Sequence, residues 1–192
     1  EMCIRDRYYS PATPEDLHRN LQKAFDLDFP ENGINLEEMM RPWEEQAGYP
    51  IIHVEKIGTT VILTQKRFGG GNEIYNVPIS FATLTSPTFD VKTPKLWLTS
   101  QTAEVTAIAE NDWIILNMQL TGYYKVSYGR NAWEAIINGI KSNRLGVPTL
   151  HRAQLHTEMA ADLLDETFYI VNAYELIELL SDEQENSVVI QA

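Results

Sequence analysis

The sequence of 192 residues contains little cysteine and few basic residues. Cys3 is the only cysteine and lies among the first seven residues, so the rest of the chain can form neither a disulfide nor a thiolate metal site. The net charge is −12, with 15 basic residues scattered among 27 acidic ones. Because nucleic-acid binding requires clustered lysine and arginine, we expect no nucleic-acid partner. No apolar run approaches the ~20 residues of a membrane-spanning helix, so we expect no membrane segment in this chain.

The sequence also lacks the short motifs that carry hydrolytic chemistry. A helical zinc site of a peptidase needs two histidines four residues apart, with a glutamate beside the first. The four histidines are His18, His53, His151 and His156, and no two of them are four apart. No Ser-His-Asp arrangement can be argued, because sequence spacing gives no distances. We therefore predict no catalytic, cofactor-binding or metal-binding residue in this chain.

His151, His156 and Glu158 come nearest to a metal-binding group. Five residues along a helix correspond to a rotation of ~500°, which places the two imidazole rings well apart around the helix axis. We therefore interpret both histidines as surface or interface residues. Three acid pairs on predicted helices are interpreted as solvated charge: Glu37/Glu38, Glu44/Glu45 and Asp165/Glu166.

Two helices are predicted before residue 49. Thr13 and Pro14 form a helix start, with a capping hydroxyl followed by proline at the first helical position. Asn35 begins a second apolar-striped helix, which Gly48 and the residues after it should end. Pro42 lies inside that stripe and lacks a backbone donor, so we expect a kink near residues 38–42.

From residue 51 the side-chain period changes to two, which is typical of strands. Strands are predicted at 51–56, 60–67, 76–83, 95–98 and 103–108, and residues 113–128 read as a hairpin turning at Thr121 and Gly122. About seven short strands indicate a β-sandwich. Asn131, with Glu134 three residues on, predicts the start of a helix, and a further helix should begin at Pro148.

Several segments, taken together and in order, resemble the aminopeptidase N type of zinc metallopeptidase. They are MMRPWEEQAGYP at 39–50, QKRF at 65–68, VPI at 77–79, WIILN at 113–117, GYYKVSY at 122–128, NAW at 131–133 and HRAQL at 151–155. The chain departs from the family pattern at Lys125, Ser127 and Gly129. The resemblance covers nearly all of the chain from Tyr8 onward.

This resemblance implies a multi-domain fold of α and β structure. A helix pair comes first, then an all-β sandwich of about seven strands, then the first α-helices of a superhelical (HEAT/armadillo-like) domain. Residues 8–48 correspond to the C-terminal helices of the thermolysin-like catalytic domain, 49–129 to the sandwich and 130–192 to the start of the superhelix.

Residues 1–7 match one reading frame of the transposon-end DNA used to prepare sequencing libraries, and we interpret them as an adapter artefact.

The resemblance further implies a non-catalytic fragment of a zinc-dependent aminopeptidase, which removes N-terminal amino acids from peptides. Zinc would be the cofactor of the full-length parent, with none in this fragment. The implied partners are the missing catalytic domain, by intramolecular contact, and the peptide substrate through that domain. The parent is expected at the extracellular face of the plasma membrane or secreted, with the cytoplasm as an alternative.

Two other functions stay open at this point: a stand-alone β-sandwich binding module and an inactive aminopeptidase-derived scaffold. A sugar-binding platform formed by Trp97, Trp113 and Trp133 is a further possibility for a sandwich. Trp113 and Trp133 flank the family-like segments, so we interpret these two as core or domain-seam residues.

Overall fold

A computed structural model describes Pro11, residues 13–31, 33–143 and 146–164, together with Tyr174, Ile177 and Glu178. The chain divides into two compact units, Glu1–Ala47 and Gly48–Ala192. The first contains helices and the second contains strands followed by helices, which is the predicted order. Residues 1–7, interpreted as an adapter artefact, lie outside the described residues, and so does most of the segment beyond residue 164. Within those residues, no helix is long and apolar enough to cross a membrane.

The described part of the first unit contains two helices, α1 (Pro14–Asp28) and α2 (Leu36–Glu45). At the start of α1 the Thr13 hydroxyl accepts a hydrogen bond from the Asp16 N–H, and the Asp16 carboxylate accepts one from the Thr13 N–H. Asn35 caps α2 by accepting from the Glu38 N–H. Both predicted helix starts are therefore confirmed, because each depends only on residues within one turn.

The two helices are joined by polar side chains rather than by a buried apolar core. Gln22 on α1 accepts a hydrogen bond from the Leu36 N–H at 2.8 Å, and His18 Nε2 lies 2.9 Å from Glu44 Oε1. No residue of α2 is buried. Pro42 lies inside α2. The helix ends at Glu45, before the predicted end at Gly48, because the backbone of Gln46 is extended.

The second unit contains eight strands between residues 50 and 128, close to the predicted seven. They are β1 (Pro50–Ile57), β2 (Thr60–Arg67), β3 (Val77–Ile79), β4 (Phe81–Thr83), β5 (Leu96–Leu98), β6 (Thr102–Val105), β7 (Ile114–Leu116) and β8 (Lys125–Tyr128). A four-stranded mixed sheet has the order β6-β2-β1-β8, in which β8 runs parallel to β1 and the other pairs are antiparallel. Two antiparallel ribbons pair β3 with β5 and β4 with β7.

Alternating apolar residues bring one face of the mixed sheet into the core. Ile52 and Val54 of β1 and Val61 and Leu63 of β2 are completely buried. The segment at 76–83, predicted as one strand, is two strands in different ribbons. It breaks at Ser80, whose carbonyl accepts from the Asn117 N–H and whose hydroxyl accepts from the Met118 N–H.

The predicted hairpin over 113–128 is wrong. β7 pairs with β4 and β8 pairs with β1, so the two strands belong to different sheets. A 3₁₀ helix, Met118–Leu120, occupies much of the segment between them. Asn117, Gln119 and Leu120 have φ values of 62°, 55° and 53°, in the left-handed region that ends a strand.

The side chain of Asn117 stabilises this change of direction. Its Oδ1 accepts from the Gly122 N–H at 2.9 Å, and its Nδ2 donates to the carbonyls of Gly122 and Tyr124 at 3.1 and 3.3 Å. Asparagine tolerates the left-handed conformation better than most residues. A turn supported by side-chain hydrogen bonds therefore replaces the backbone ladder that a hairpin would need.

In the described residues between β8 and residue 164 there are two α-helices, α3 (Arg130–Ser142) and α4 (Thr149–Leu164). Gly129 occupies the cap position of α3, so the predicted cap at Asn131 is wrong. The Asn131 amide instead donates to the Lys56 carbonyl on β1, and Glu134 pairs with Arg130. A long-range acceptor thus replaces the local capping contact. The helix predicted from Pro148 is present, one residue later.

Gly139 lies on the buried side of α3, where an added Cβ would stand 2.2 Å from Cδ1 of Trp113. Replacing a helical glycine by alanine ordinarily stabilises a helix by ~1 kcal/mol. Here the clash reverses the sign, and we expect Gly139→Ala to lower the free energy of unfolding by about 1–3 kcal/mol in urea denaturation. Asn138→Ala, on the exposed side of the same helix, is the matched control and should not destabilise. A Gly139→Ala variant as stable as the wild type would contradict this packing.

Candidate functional site

Four polar side chains follow one another along α4 and are all buried: His151, Gln154, Glu158 and Asp162, which we call the α4 polar row. Three- and four-residue spacings place them on one side of the helix. This side faces the 3₁₀ helix and β8. The row is the largest concentration of buried titratable groups in the described part of the chain, so it is the first candidate for a site.

His151 begins the row and is completely buried. Its Nδ1 lies 2.9 Å from Gln154 Oε1, its Nε2 accepts from the Gln119 N–H at 3.5 Å, and its ring packs 4.9 Å from that of Phe89. Burial lowers the pKa of His151, opposed by the hydrogen bond to Gln154. Of the two predicted positions, surface or interface, the surface is wrong for this histidine, because it is buried and internal partners satisfy both ring nitrogens of the neutral form.

Glu158 stands one turn beyond Gln154. Its Oε1 accepts from Gln154 Nε2 at 2.9 Å, and the same Nε2 donates to the Leu116 carbonyl at 3.0 Å. Its Oε2 is buried and has no hydrogen-bond partner among the described residues. Burial raises the pKa of Glu158 well above its usual range, because one carboxylate oxygen lacks a donor that would stabilise a negative charge.

Asp162 ends the row and is better supplied with donors. The Tyr128 N–H and Trp133 Nε1 donate to its Oδ2 at 3.2 and 3.0 Å. Burial raises the pKa of Asp162, while hydrogen bonds from Ser127, Trp133 and Tyr128 oppose that shift. The row thus connects α4 to β7, β8 and α3 through hydrogen bonds.

A zinc ion does not fit the α4 polar row. Both nitrogens of His151 are already hydrogen-bonded, and one oxygen of Glu158 is bound to an amide donor. His18 and His53 contact Glu44 and Ser127 instead. Across 13–31, 33–143 and 146–164, no group of three histidine, cysteine or carboxylate residues could hold a metal ion.

The structure brings together a serine, a histidine and a carboxylate that sequence spacing did not join. His53 and Ser127 face each other in the parallel pairing of β1 and β8, with Nδ1 and Oγ 3.3 Å apart. His53 Nε2 lies 3.9 Å from Glu55 Oε2. The order Ser-His-carboxylate is that of a hydrolase triad. No local signal announces it, because it depends on strand register.

This cluster lacks the features that activate a serine. The Ser127 hydroxyl also hydrogen-bonds Asp162, and the separation between His53 and Glu55 exceeds a hydrogen bond. An oxyanion hole needs free donors near the nucleophile. The next two backbone N–H groups are occupied, since Tyr128 donates to Asp162 and Gly129 to the Val54 carbonyl. The contact that the structure shows for this cluster is one that joins β1 to β8.

The tryptophans do not form a sugar-binding platform. Trp113 and Trp133 are 3% and 0% exposed, which confirms their interpretation as core residues. Trp97 alone is exposed, at 42%, on β5.

Of the acid pairs, Glu37 binds Arg41 and Glu44 binds His18, both with partly exposed carboxylates, while Asp165 and Glu166 lie outside the described residues.

Comparison with known proteins identifies the relatives of this chain. No family model matches it. Aminopeptidase N of Plutella xylostella is 30% identical over 75% of the chain, and puromycin-sensitive aminopeptidase of Caenorhabditis elegans is 34% identical over 80%. Aminopeptidase Q of Homo sapiens is 27% identical over 92%. The chain belongs to the aminopeptidase N family. It spans less than a fifth of the length of each of these curated relatives: 16% of the Plutella xylostella and Caenorhabditis elegans proteins and 19% of the Homo sapiens protein.

Three of the segments that carry the aminopeptidase resemblance supply long-range hydrogen bonds in the structure. Gln65 of QKRF bonds Tyr75 and Ser100, Tyr128 of GYYKVSY bonds Leu116, and Gln154 of HRAQL bonds the Leu116 carbonyl. All three side chains are buried. These segments therefore join strands and helices in this chain.

The Ser127 cluster can be tested with a fluorophosphonate reagent, which modifies activated serines. We expect Ser127 to be labelled no faster than the exposed Ser100, as measured by peptide mass spectrometry. Selective labelling of Ser127 that His53→Ala abolishes would show that the cluster is a working nucleophile.

Proposed function

We propose that this chain is a non-catalytic segment of a zinc-dependent aminopeptidase, which removes N-terminal amino acids from peptides. The alignments carry the proposal, because they cover most of the chain but less than a fifth of each aminopeptidase. Residues 8–48 would end the catalytic domain, 49–129 would form a β-sandwich and 130–192 would begin an α-helical superhelix. The zinc ligands, the general base and the groups that bind the substrate amine would lie elsewhere in the parent.

The contacts of Gln65 support the β-sandwich in this proposal. Gln65 is 2% exposed and lies on β2 of the mixed sheet. Its Nε2 donates to the carbonyls of Tyr75 and Ser100, at 3.0 and 2.7 Å, and its Oε1 accepts from the Tyr75 N–H at 2.9 Å. These bonds connect the mixed sheet to the chain flanking the β3–β5 ribbon, as two packed layers of a sandwich would require.

The first unit supports an intramolecular partner. Leu17 and Leu21 on α1 are 45% and 39% exposed, and no residue of α2 is buried, although α2 carries Met39, Met40 and Trp43. An amphipathic helix is stabilised mainly by covering its apolar face. We propose that the remainder of the catalytic domain covers these faces in the parent.

The purified chain should not hydrolyse an aminoacyl-arylamide such as alanine p-nitroanilide, with or without added zinc. Metal-assisted hydrolysis needs a general base near the metal-bound water and donors aimed at the developing oxyanion. His18, His53 and His151 instead contact a carboxylate, a hydroxyl and an amide in three different parts of the chain. The measurement is p-nitroaniline release, together with the zinc content of the chain after gel filtration.

A full-length aminopeptidase N assayed on the same substrate is the positive control. One zinc per chain, with hydrolysis that a chelator abolishes and zinc restores, would overturn the proposal. Activity that survives the chelator but is lost in Ser127→Ala would also overturn the proposal, because it would assign hydrolysis to the cluster of Ser127, His53 and Glu55.

A further inference from the structure

We propose that Glu158 makes the packing of α4 against β8 sensitive to pH, tight while its carboxyl carries a proton and weakened when it ionises. Glu158 and Asp162 stand four residues apart on α4, so two carboxyl groups share one side of one helical turn. Both are more than nine-tenths buried. Asp162 has donors from β8 and α3, whereas Oε2 of Glu158 has none among the residues that the structure describes.

The groups around Glu158 give its negative charge little compensation. Asp162 on its own helix is a second acid, and Lys125 on β8 is the nearby base, with an exposed side chain. Tyr124 precedes β8 and Tyr128 ends it. Both tyrosines are close enough to Glu158 for its negative charge to raise their pKa values. His53 on β1 acts to lower the pKa of Asp162, and burial lowers the pKa of His151, which disfavours its positively charged form.

The sign of the effect follows from the direction of the shift. Burial raises the pKa of Glu158 in the folded chain well above its usual range, so folding takes up a proton between the ordinary and the raised value. The free energy of unfolding therefore falls as pH rises through that window. Asp162 acts in the same direction, since burial raises its pKa too.

His151 acts in the opposite direction. Burial lowers its pKa, so the unfolded chain binds a proton that the folded chain does not, and stability falls as pH drops below the usual histidine value. The pH profile of the wild type alone therefore mixes two effects. A comparison of Glu158→Gln with the wild type separates them, because His151 is the same in both chains.

The test is urea denaturation of the whole chain at each pH unit from 5 to 9, for the wild type and Glu158→Gln. The glutamine keeps the shape of the side chain and an acceptor for Gln154, but it cannot ionise. We expect the ratio of the wild-type unfolding constant to that of Glu158→Gln to rise by up to tenfold per pH unit through the window, then level off. Glu104→Gln, an exposed change on β6, is the matched control, and its ratio should not vary with pH.

A ratio for Glu158→Gln that stays constant from pH 5 to 9 would overturn the proposal, whatever its size. If the variant does not fold, amide hydrogen exchange in the wild type decides. After correction for the intrinsic exchange rate, the opening constants of amides in α4 should rise with pH more than those in β1 and β2. Equal pH dependence in α4 and the two strands would contradict a weakened attachment of this helix.

Discussion

The second unit depends most on the buried side chain of Tyr128. Its hydroxyl oxygen accepts from the Leu116 N–H at 3.0 Å, its own N–H donates to Asp162, and its ring meets Trp133 edge-on with the centroids 5.1 Å apart. One residue thus connects β7, β8, α3 and α4. The Leu116 N–H at the end of β7 would otherwise be a buried donor without a partner, which costs about 1–3 kcal/mol.

Other joints in this unit follow the same physical rule, that a buried polar group must find a partner. Lys56 is 5% exposed and donates to the carbonyls of Gly58 and Glu110, at 2.7 and 2.6 Å. Asp112 is 1% exposed and accepts from Leu84 and Thr85. These contacts join segments far apart in sequence, so the strands and helices are specified together rather than one at a time. Glu158 departs from that rule, since its Oε2 has no partner in the described part of the chain, and the proposed pH sensitivity rests on this departure.

Local patterns in the sequence were enough to predict the elements whose signals are local. The caps at Thr13 and Asn35 and the positions of strands β1 and β2 depend on neighbours within a few residues, and all were predicted. The true arrangement of residues 113–128 was not predictable from the sequence. An alternating apolar pattern cannot show that Asn117 adopts a left-handed conformation, or that β8 pairs with a strand some 70 residues earlier.

The candidate site was harder to predict for the same reason. His151 is buried by contacts with Phe89 and Gln119, which lie more than 30 residues away, and helical periodicity gives no account of them. The pairing of His53 with Ser127 requires knowledge of strand register. In contrast, the resemblance to the aminopeptidase N type was evident from short segments such as QKRF at 65–68 and GYYKVSY at 122–128, because it needs no knowledge of long-range contacts.

The proposal that this chain is a non-catalytic segment of an aminopeptidase is tested most directly by reading the source gene upstream of the codon for Tyr8. We expect an open reading frame that encodes an H-E-x-x-H motif on a predicted helix, with a further glutamate downstream as the third zinc ligand. A signal peptide encoded immediately before Tyr8 would contradict the proposal and favour a stand-alone binding module. An upstream motif that has lost its histidines or glutamate would contradict it as well, and would favour an inactive scaffold.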